Sequence, residues 1–202
     1  VAVADLVPWV FTSGWASGVN AYAVVLVMGL LGRYAGVDAI PLALQRTEIL
    51  VGAAVLYGLE FVADKIPWLD STWDAVHTAI RPTLGAAIGL LLAGDASSVE
   101  QALAAAAGGL SALASHAVKA GMRAAINTSP EPVSNITMSV AEDVTVAGLI
   151  SLAVAAPWVA AGIAATLLLA GIAIVVAIAS RIRRYRERHR RRAEALPGRP
   201  PV

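Results

Sequence analysis

Glu60 and Asp64 lie four residues apart, and Tyr57 precedes Glu60 by three. On a helix all three share one face. A second stripe follows the same rule: His116, Lys119, Arg123 and Asn127 are spaced by three, four and four. Asp74, His77 and Arg81 form a third group, and Glu142–Asp143 a fourth. These types allow three kinds of chemistry. Opposite charges on neighbouring helices can pair and lock a bundle. The same groups can line a path for an ion, a proton or a polar substrate. Glu60, Asp64, Asp74 and His77 also offer oxygen and imidazole donors of the kind that Mn, Zn or Mg accepts. The ion-path reading takes in Asn20, Glu60, Asp64, Lys65, Asp74, His77, Arg81, Lys119, Arg123, Asn127, Glu142 and Asp143.

Other chemistry is missing. The chain has no cysteine, which excludes disulfides, thiolate metal sites and cysteine nucleophiles. It has no G-x-S-x-G, no H-E-x-x-H and no phosphate loop. Ser115 and His116 are adjacent, so on a helix they point about 100° apart and make no nucleophile–base pair. No catalytic residue and no cofactor are expected.

The elements that must position these groups are membrane helices. Of the 202 residues, 58% are hydrophobic and only 14% charged, with a mean hydropathy of +0.72. The apolar residues fall in blocks near the length of a membrane span. The net charge of +1 hides a division. Residues 1–180 carry −6 and residues 181–202 carry +7, eight of the arginines lying within 181–192. The expected organisation is one transmembrane helical domain over 1–180 and a basic cytoplasmic tail over 181–202. No basic stretch precedes residues 1–11, so these do not read as a signal peptide.

The fold class expected is all-α, a polytopic bundle of about six spans with a broken or re-entrant helix near the N-terminus. Gly14, Gly18 and Pro8 interrupt the first apolar block, and its Trp9 and Trp15 suit a membrane interface. Thr47, Ser71 and the Ser139–Glu142 box read as helix starts, and Gln101 completes a cap near Ser98. Pro82 predicts a bend. The small residues over 104–109 predict close helix packing. Residues 144–180 would measure about 55 Å as one helix, too long for a single span of about 30 Å, so a split is placed at Pro157.

The arginine tail fixes the C-terminus inside by the positive-inside rule, and six spans then place the N-terminus there too. The chain is expected in a bacterial inner membrane. Its partners are membrane lipids, with anionic headgroups at the tail, and a further copy of itself; no nucleic-acid partner is expected.

Three strings stand out together: ASGVNAY over 16–22; LEFVADKIP over 59–67 with Asp70, WDAVH over 73–77 and Arg81-Pro82; and RAAINTSP over 123–130 leading to Glu131, SNI over 134–136 and SVAED over 139–143. Together they closely resemble the domain of unknown function 4126 family of bacterial membrane proteins, over about residues 15–143. The resemblance implies a membrane-helical fold and a shared polar site. It implies no activity. Residue chemistry therefore leaves a small transporter or channel as the leading function. A structural or accessory subunit comes second, and a metal-dependent lipid-modifying enzyme third.

Overall fold

Prolines open three of the helices. Pro67, Pro132 and Pro157 each stand at a first helical position, where a missing N–H breaks no bond. The computed structural model describes residues 3–126 and 132–194. These form α1 (Val3–Ala35), α2 (Thr47–Ala63), α3 (Pro67–Ala93), α4 (Ser98–Ile126), α5 (Pro132–Ala155) and α6 (Pro157–Glu194), with a 3-10 turn Leu42–Gln45 between α1 and α2. There is no strand among the described residues. The all-α bundle of six helices is the one expected, and the split at Pro157 falls where the length argument placed it.

Four segments are long and apolar enough to cross a membrane: Leu6–Ala35, Trp68–Ala93, Ile136–Ala155 and Pro157–Arg190. Large apolar side chains stand exposed on the outside, among them Val51, Val55 and Leu59 of α2 and Leu169 and Val176 of α6. In water such a surface would aggregate. In lipid it is solvated. The chain is a membrane protein.

Helix α1 is the core. Trp9, Val10, Ala16, Val24 and Met28 are all buried. This corrects the interfacial reading of the first tryptophans, because Trp9 and Trp15 pack inside the bundle. The break in α1 falls at Asn20, whose φ of −151° and ψ of 96° are extended. Asn20 Oδ1 accepts a hydrogen bond from the Ala23 amide at 2.9 Å. That is N-cap geometry, so a new helix begins there.

The two halves of α1 point in opposite senses along the bundle. Gly14 lies against Gly108 and Ser111, Gly18 against Ala112 and Ser115, and the Val19 carbonyl meets Lys119. The first half therefore runs parallel to α4. Helix α2 also runs parallel to α4, since Glu60 meets Arg81 and Lys119 while Asp64, one turn on, meets Arg123. The start of α2 then lies at the end where α4 begins. The close of α1 lies beside it, through Arg33 to Thr47 at 2.8 Å and Gly29 to Leu44 and Leu50. So α1 enters from one end, turns at Asn20 and returns. It is the re-entrant element that the glycine-broken sequence suggested. Helix α6 runs parallel to α4, with Gly171 against Val118 and Val175 against Gly121, so the start of α1 sits at the opposite end from the tail, not on the same face.

Small residues let the helices close around it. The small buried residues of α4 are Ala104, Gly108, Ser111, Ala112 and Ser115, all on one face of the helix. Helix α3 meets it with Gly85 and Gly89, whose added Cβ atoms would strike the Gly108 and Ala104 carbonyls. Ser115 Oγ donates to the Trp15 carbonyl at 2.7 Å, a direct bond between α1 and α4. Helix α3 runs unbroken through Pro82.

Several expected starts prove different. α2 is preceded by Arg46 with no side-chain cap, and Thr47 Oγ1 instead accepts from Arg33. α3 starts at Pro67, which places Ser71 inside it, and α5 starts at Pro132, before Ser139. The true box at α4 is Ser97 with Glu100. Glu100 Oε2 accepts from the Ser97 amide at 2.9 Å and its hydroxyl at 2.8 Å, while Gln101 reaches back to the Gly94 carbonyl. Ser97→Ala should cost about 1 kcal/mol. Thermal unfolding of the purified chain would show a modest loss, and an unchanged midpoint would mean that the cap carries no stability.

Candidate functional site

Where α1 turns, four other helices bring charge to it. Arg81 of α3 is fully buried and donates to Glu60 Oε1 at 2.8 Å, to His116 Nδ1 at 2.8 Å and to the Gly18 carbonyl at 3.3 Å. Its Nη1 also lies 3.1 Å from Asp74 Oδ1. Lys119 of α4 meets Asp64 at 2.9 Å, the Val19 carbonyl at 3.0 Å, Glu142 at 3.4 Å and Glu60 at 3.7 Å. Arg123, one turn further, grips Glu142 with two nitrogens, at 2.6 and 3.2 Å, and the Asp64 carbonyl at 3.0 Å. It also lies 3.4 Å from Asp64 Oδ2 and 3.7 Å from Asp70. The pairing expected between the α2 carboxylates and the α4 cations is present.

Backbone dipoles fit the same pattern. Gly18 and Val19 end the first half of α1, where unpaired carbonyls give a partial negative charge. They face Arg81 and Lys119. Asn20 caps the second half and donates its amide to Asp143 Oδ1 at 3.0 Å. One broken helix thus presents carbonyls to cations and an amide to a carboxylate. Asn20→Ala would remove both the cap and the Asp143 contact, at about 1–2 kcal/mol. If chemical denaturation shows no loss, the cap is not holding the turn.

Both ring nitrogens of each histidine are engaged. His116 Nδ1 accepts from Arg81, so Nε2 carries the proton and faces Thr78 Oγ1 at 3.1 Å. His77 Nδ1 donates to the Trp73 carbonyl at 2.8 Å, which leaves Nε2 to accept from the Tyr22 hydroxyl at 3.0 Å.

Two hollows touch this network from different flanks. A cleft of about 230 Å3 between α3 and α4 is lined by Ser71, Asp74, Thr78 and Arg123. A cavity of about 240 Å3 among α1, α4, α5 and α6 is walled by Trp15, Met122, Met138 and Leu168, with Lys119 and Glu142 as its charged wall. Arg123, Glu142 and Lys119 stand between the two.

The family described as Domain of unknown function (DUF4126) matches residues 7–177. The chain belongs to it. The match extends beyond the strings that carry the resemblance, on both sides. No curated protein and no solved structure matches the chain.

Within this DUF4126 chain, the residues expected in an ion path divide as follows. Asn20, Glu60, Asp64, Asp74, Arg81, Lys119, Arg123, Glu142 and Asp143 meet in one network. His77, one turn from Asp74 and Arg81 on α3, bonds to Tyr22 instead of to the ion pairs. Lys65 lies at the edge, bonded to the Phe61 carbonyl at 2.7 Å and Ser139 Oγ at 3.4 Å. Asn127 lies outside the described residues. The metal-ligand reading loses its geometry. Both nitrogens of His77 are engaged and Glu60 is held by Arg81. Among the described residues no three His, Cys, Asp or Glu side chains are grouped to hold a metal ion.

Sequence reasoning missed Asp70, Tyr22, Thr78 and Ser139 as contributors and did not give His116 a role. Asp70 was findable, since 70, 74, 77 and 81 form a stripe of spacing four, three and four. Tyr22 lies in the string over 16–22 and Ser139 in a capping pattern, but neither placement marks a partner for a charged side chain.

Proposed function

We propose that this DUF4126 protein is a small membrane transporter or channel, gated by the buried ion-pair network at the turn of α1. The single observation that carries the reading is the discontinuous helix, whose broken ends face charged side chains between two hollows. Broken helices with that arrangement are how many carriers bind ions and polar solutes near the middle of the bilayer. A charge pair that bridges two hollows can act as a gate by breaking. On this reading the protein sits in a bacterial inner membrane with its arginine tail cytoplasmic. The tail rests in the field of anionic headgroups, and copies of the chain associate with one another.

The second reading is a structural or accessory subunit whose ion pairs only lock the bundle. It is favoured by the dryness of the network, because Glu60 and Arg81 are both 0% exposed.

Currents on solid-supported membranes separate the two. The full chain, reconstituted and challenged with jumps in protons, inorganic ions and small polar solutes, should give a transient current above empty vesicles. Glu142→Gln should change its size or its ion dependence. Folded protein that gives no current for any challenge would favour the lock.

A further inference from the structure

We infer that the cavity among α1, α4, α5 and α6 holds one acyl chain of an anionic phospholipid from the leaflet on the tail side, with the headgroup at Arg181. The inference stands apart from the transporter reading.

The cavity of about 240 Å3 has an inner wall and a rim. Trp15, Val19 and Gly171 are buried and belong to the wall. Ala141 of α5 and Leu167, Ala170 and Ile174 of α6 are exposed and belong to the rim. Against α4 the side is closed, since Gly171 meets Val118 and Val175 meets Gly121. Helices α5 and α6 bury Ala153, Ala160 and Ala164 completely near the turn at Pro157. Away from that turn the cavity lies between them. Its mouth therefore opens between α5 and α6 onto the apolar exterior, the surface that lipid solvates.

The charged and hydroxyl side chains of the lining are already engaged. Lys119 Nζ meets Asp64, the Val19 carbonyl and Glu142, and Arg123 holds both Glu142 oxygens. Ser115 Oγ donates to the Trp15 carbonyl and Thr145 Oγ1 to the Ala141 carbonyl. An ordered water needs about two to four polar partners, so water is poorly held here. A void is unfavourable too, because its lining forfeits dispersion contacts. Hydrocarbon surrounds the mouth and fills the space without desolvating a polar group. The volume is below the roughly 300 Å3 at which pockets for whole small molecules begin, so it suits a segment of one chain.

The helix that carries the rim also places the headgroup. Arg181 follows Ile174 by seven residues, two turns, and so shares its face. It is exposed. At 1.5 Å per residue it stands about 10 Å beyond Ile174 and about 21 Å beyond Leu167. One leaflet of hydrocarbon is about 15 Å deep, half of a core of about 30 Å. A lipid whose phosphate meets Arg181 thus reaches the rim with the lower part of its chain. Eight arginines within 181–192 favour an anionic headgroup over a zwitterionic one. A chain in this place keeps water off the Lys119–Glu142 flank of the ion pairs. If the protein transports, the chain must withdraw before that flank wets.

Phosphatidylglycerol with a diazirine near the middle of one acyl chain tests this on the full chain in vesicles. After illumination, mass spectrometry should find adducts on Trp15 and Met122, which line the cavity, as well as on the outer residues Leu169 and Val176. The unmodified protein gives this reading, so it does not depend on a variant folding. Ala141→Phe fills the mouth from an exposed position. It should cut the inner adducts several-fold and leave the outer ones unchanged. Arg181→Gln, or the same probe on phosphatidylcholine, should also lower the inner adducts several-fold. Outer adducts without inner ones would overturn the inference, and so would inner adducts that Ala141→Phe leaves intact. Equal inner labelling from both headgroups would overturn the anionic assignment. Ready disulfide dimers of Ala141→Cys would put a second copy on the mouth in place of lipid, and would overturn the inference as well.

Discussion

Glu60→Gln and Arg81→Gln should each destabilise the bundle by about 3–5 kcal/mol, and the double variant should recover much of the loss. Removing Glu60 leaves Arg81 without its 2.8 Å partner, in a site that is fully buried. Removing Arg81 takes the cation from Asp74 and leaves Glu60 with only the 3.7 Å contact to Lys119. Replacing both members removes the unpaired charge, so the two losses should not add. Pairing Glu60→Gln with Arg123→Gln should show weaker coupling. Arg123 meets Glu142, Asp64 and Asp70, and connects to Glu60 only through shared partners. Denaturation in mild detergent measures all four proteins of each cycle. Equal coupling in both cycles would mean that Glu60 and Arg81 are not a specific pair.

Gly18→Ala should be as damaging for a steric reason. A Cβ at Gly18 would strike the Ala112 carbonyl and Ser115 Oγ, and backbone cannot yield as a flexible side chain does. To admit it, α1 must lift from α4. That would stretch the Ser115 bond to Trp15 and move the Val19 carbonyl away from Lys119. Overpacking of a tight interior costs about 1–3 kcal/mol, and here the ion network is strained as well. Gly52→Ala is the control, because nothing lies within 4 Å of its added Cβ. A thermal scan should show a large drop for the first and little change for the second. Equal midpoints would mean that α1 and α4 do not approach as closely as described.

The sequence made the helices legible because apolar blocks of span length have few alternatives in lipid. The Pro157 split followed from length alone. The capping patterns misled for a physical reason. Ser139 and Glu142 look like a helix start, yet in a membrane bundle a polar pair can sit inside a helix if a partner meets it. Arg123 meets Glu142, and Lys65 lies beside Ser139. The stripes on α2 and α4 were readable from spacing. Their exact partners were not, since Arg81 reaches two turns back along its own helix to Asp74 and across to Glu60. The turn at Asn20 was foreshadowed by Gly14 and Gly18. Those glycines serve the packing on α4, and the break itself falls at the residue that can cap the next helix.

Arg123, Glu142 and Lys119 form the proposed barrier between the cleft and the cavity. The chain has no native cysteine, so single cysteines can be placed without background. The most direct measurement labels Ser71→Cys, in the cleft, and Thr145→Cys, in the cavity, with a membrane-impermeant thiol reagent added to the tail side of sealed vesicles. Ser71→Cys should react and Thr145→Cys should not. Adding Glu142→Gln, which removes the carboxylate shared by Arg123 and Lys119, should make Thr145→Cys reactive from the tail side. If Thr145→Cys stays protected after that change, or reacts equally well before it, the ion pairs are not the barrier and the gate is contradicted.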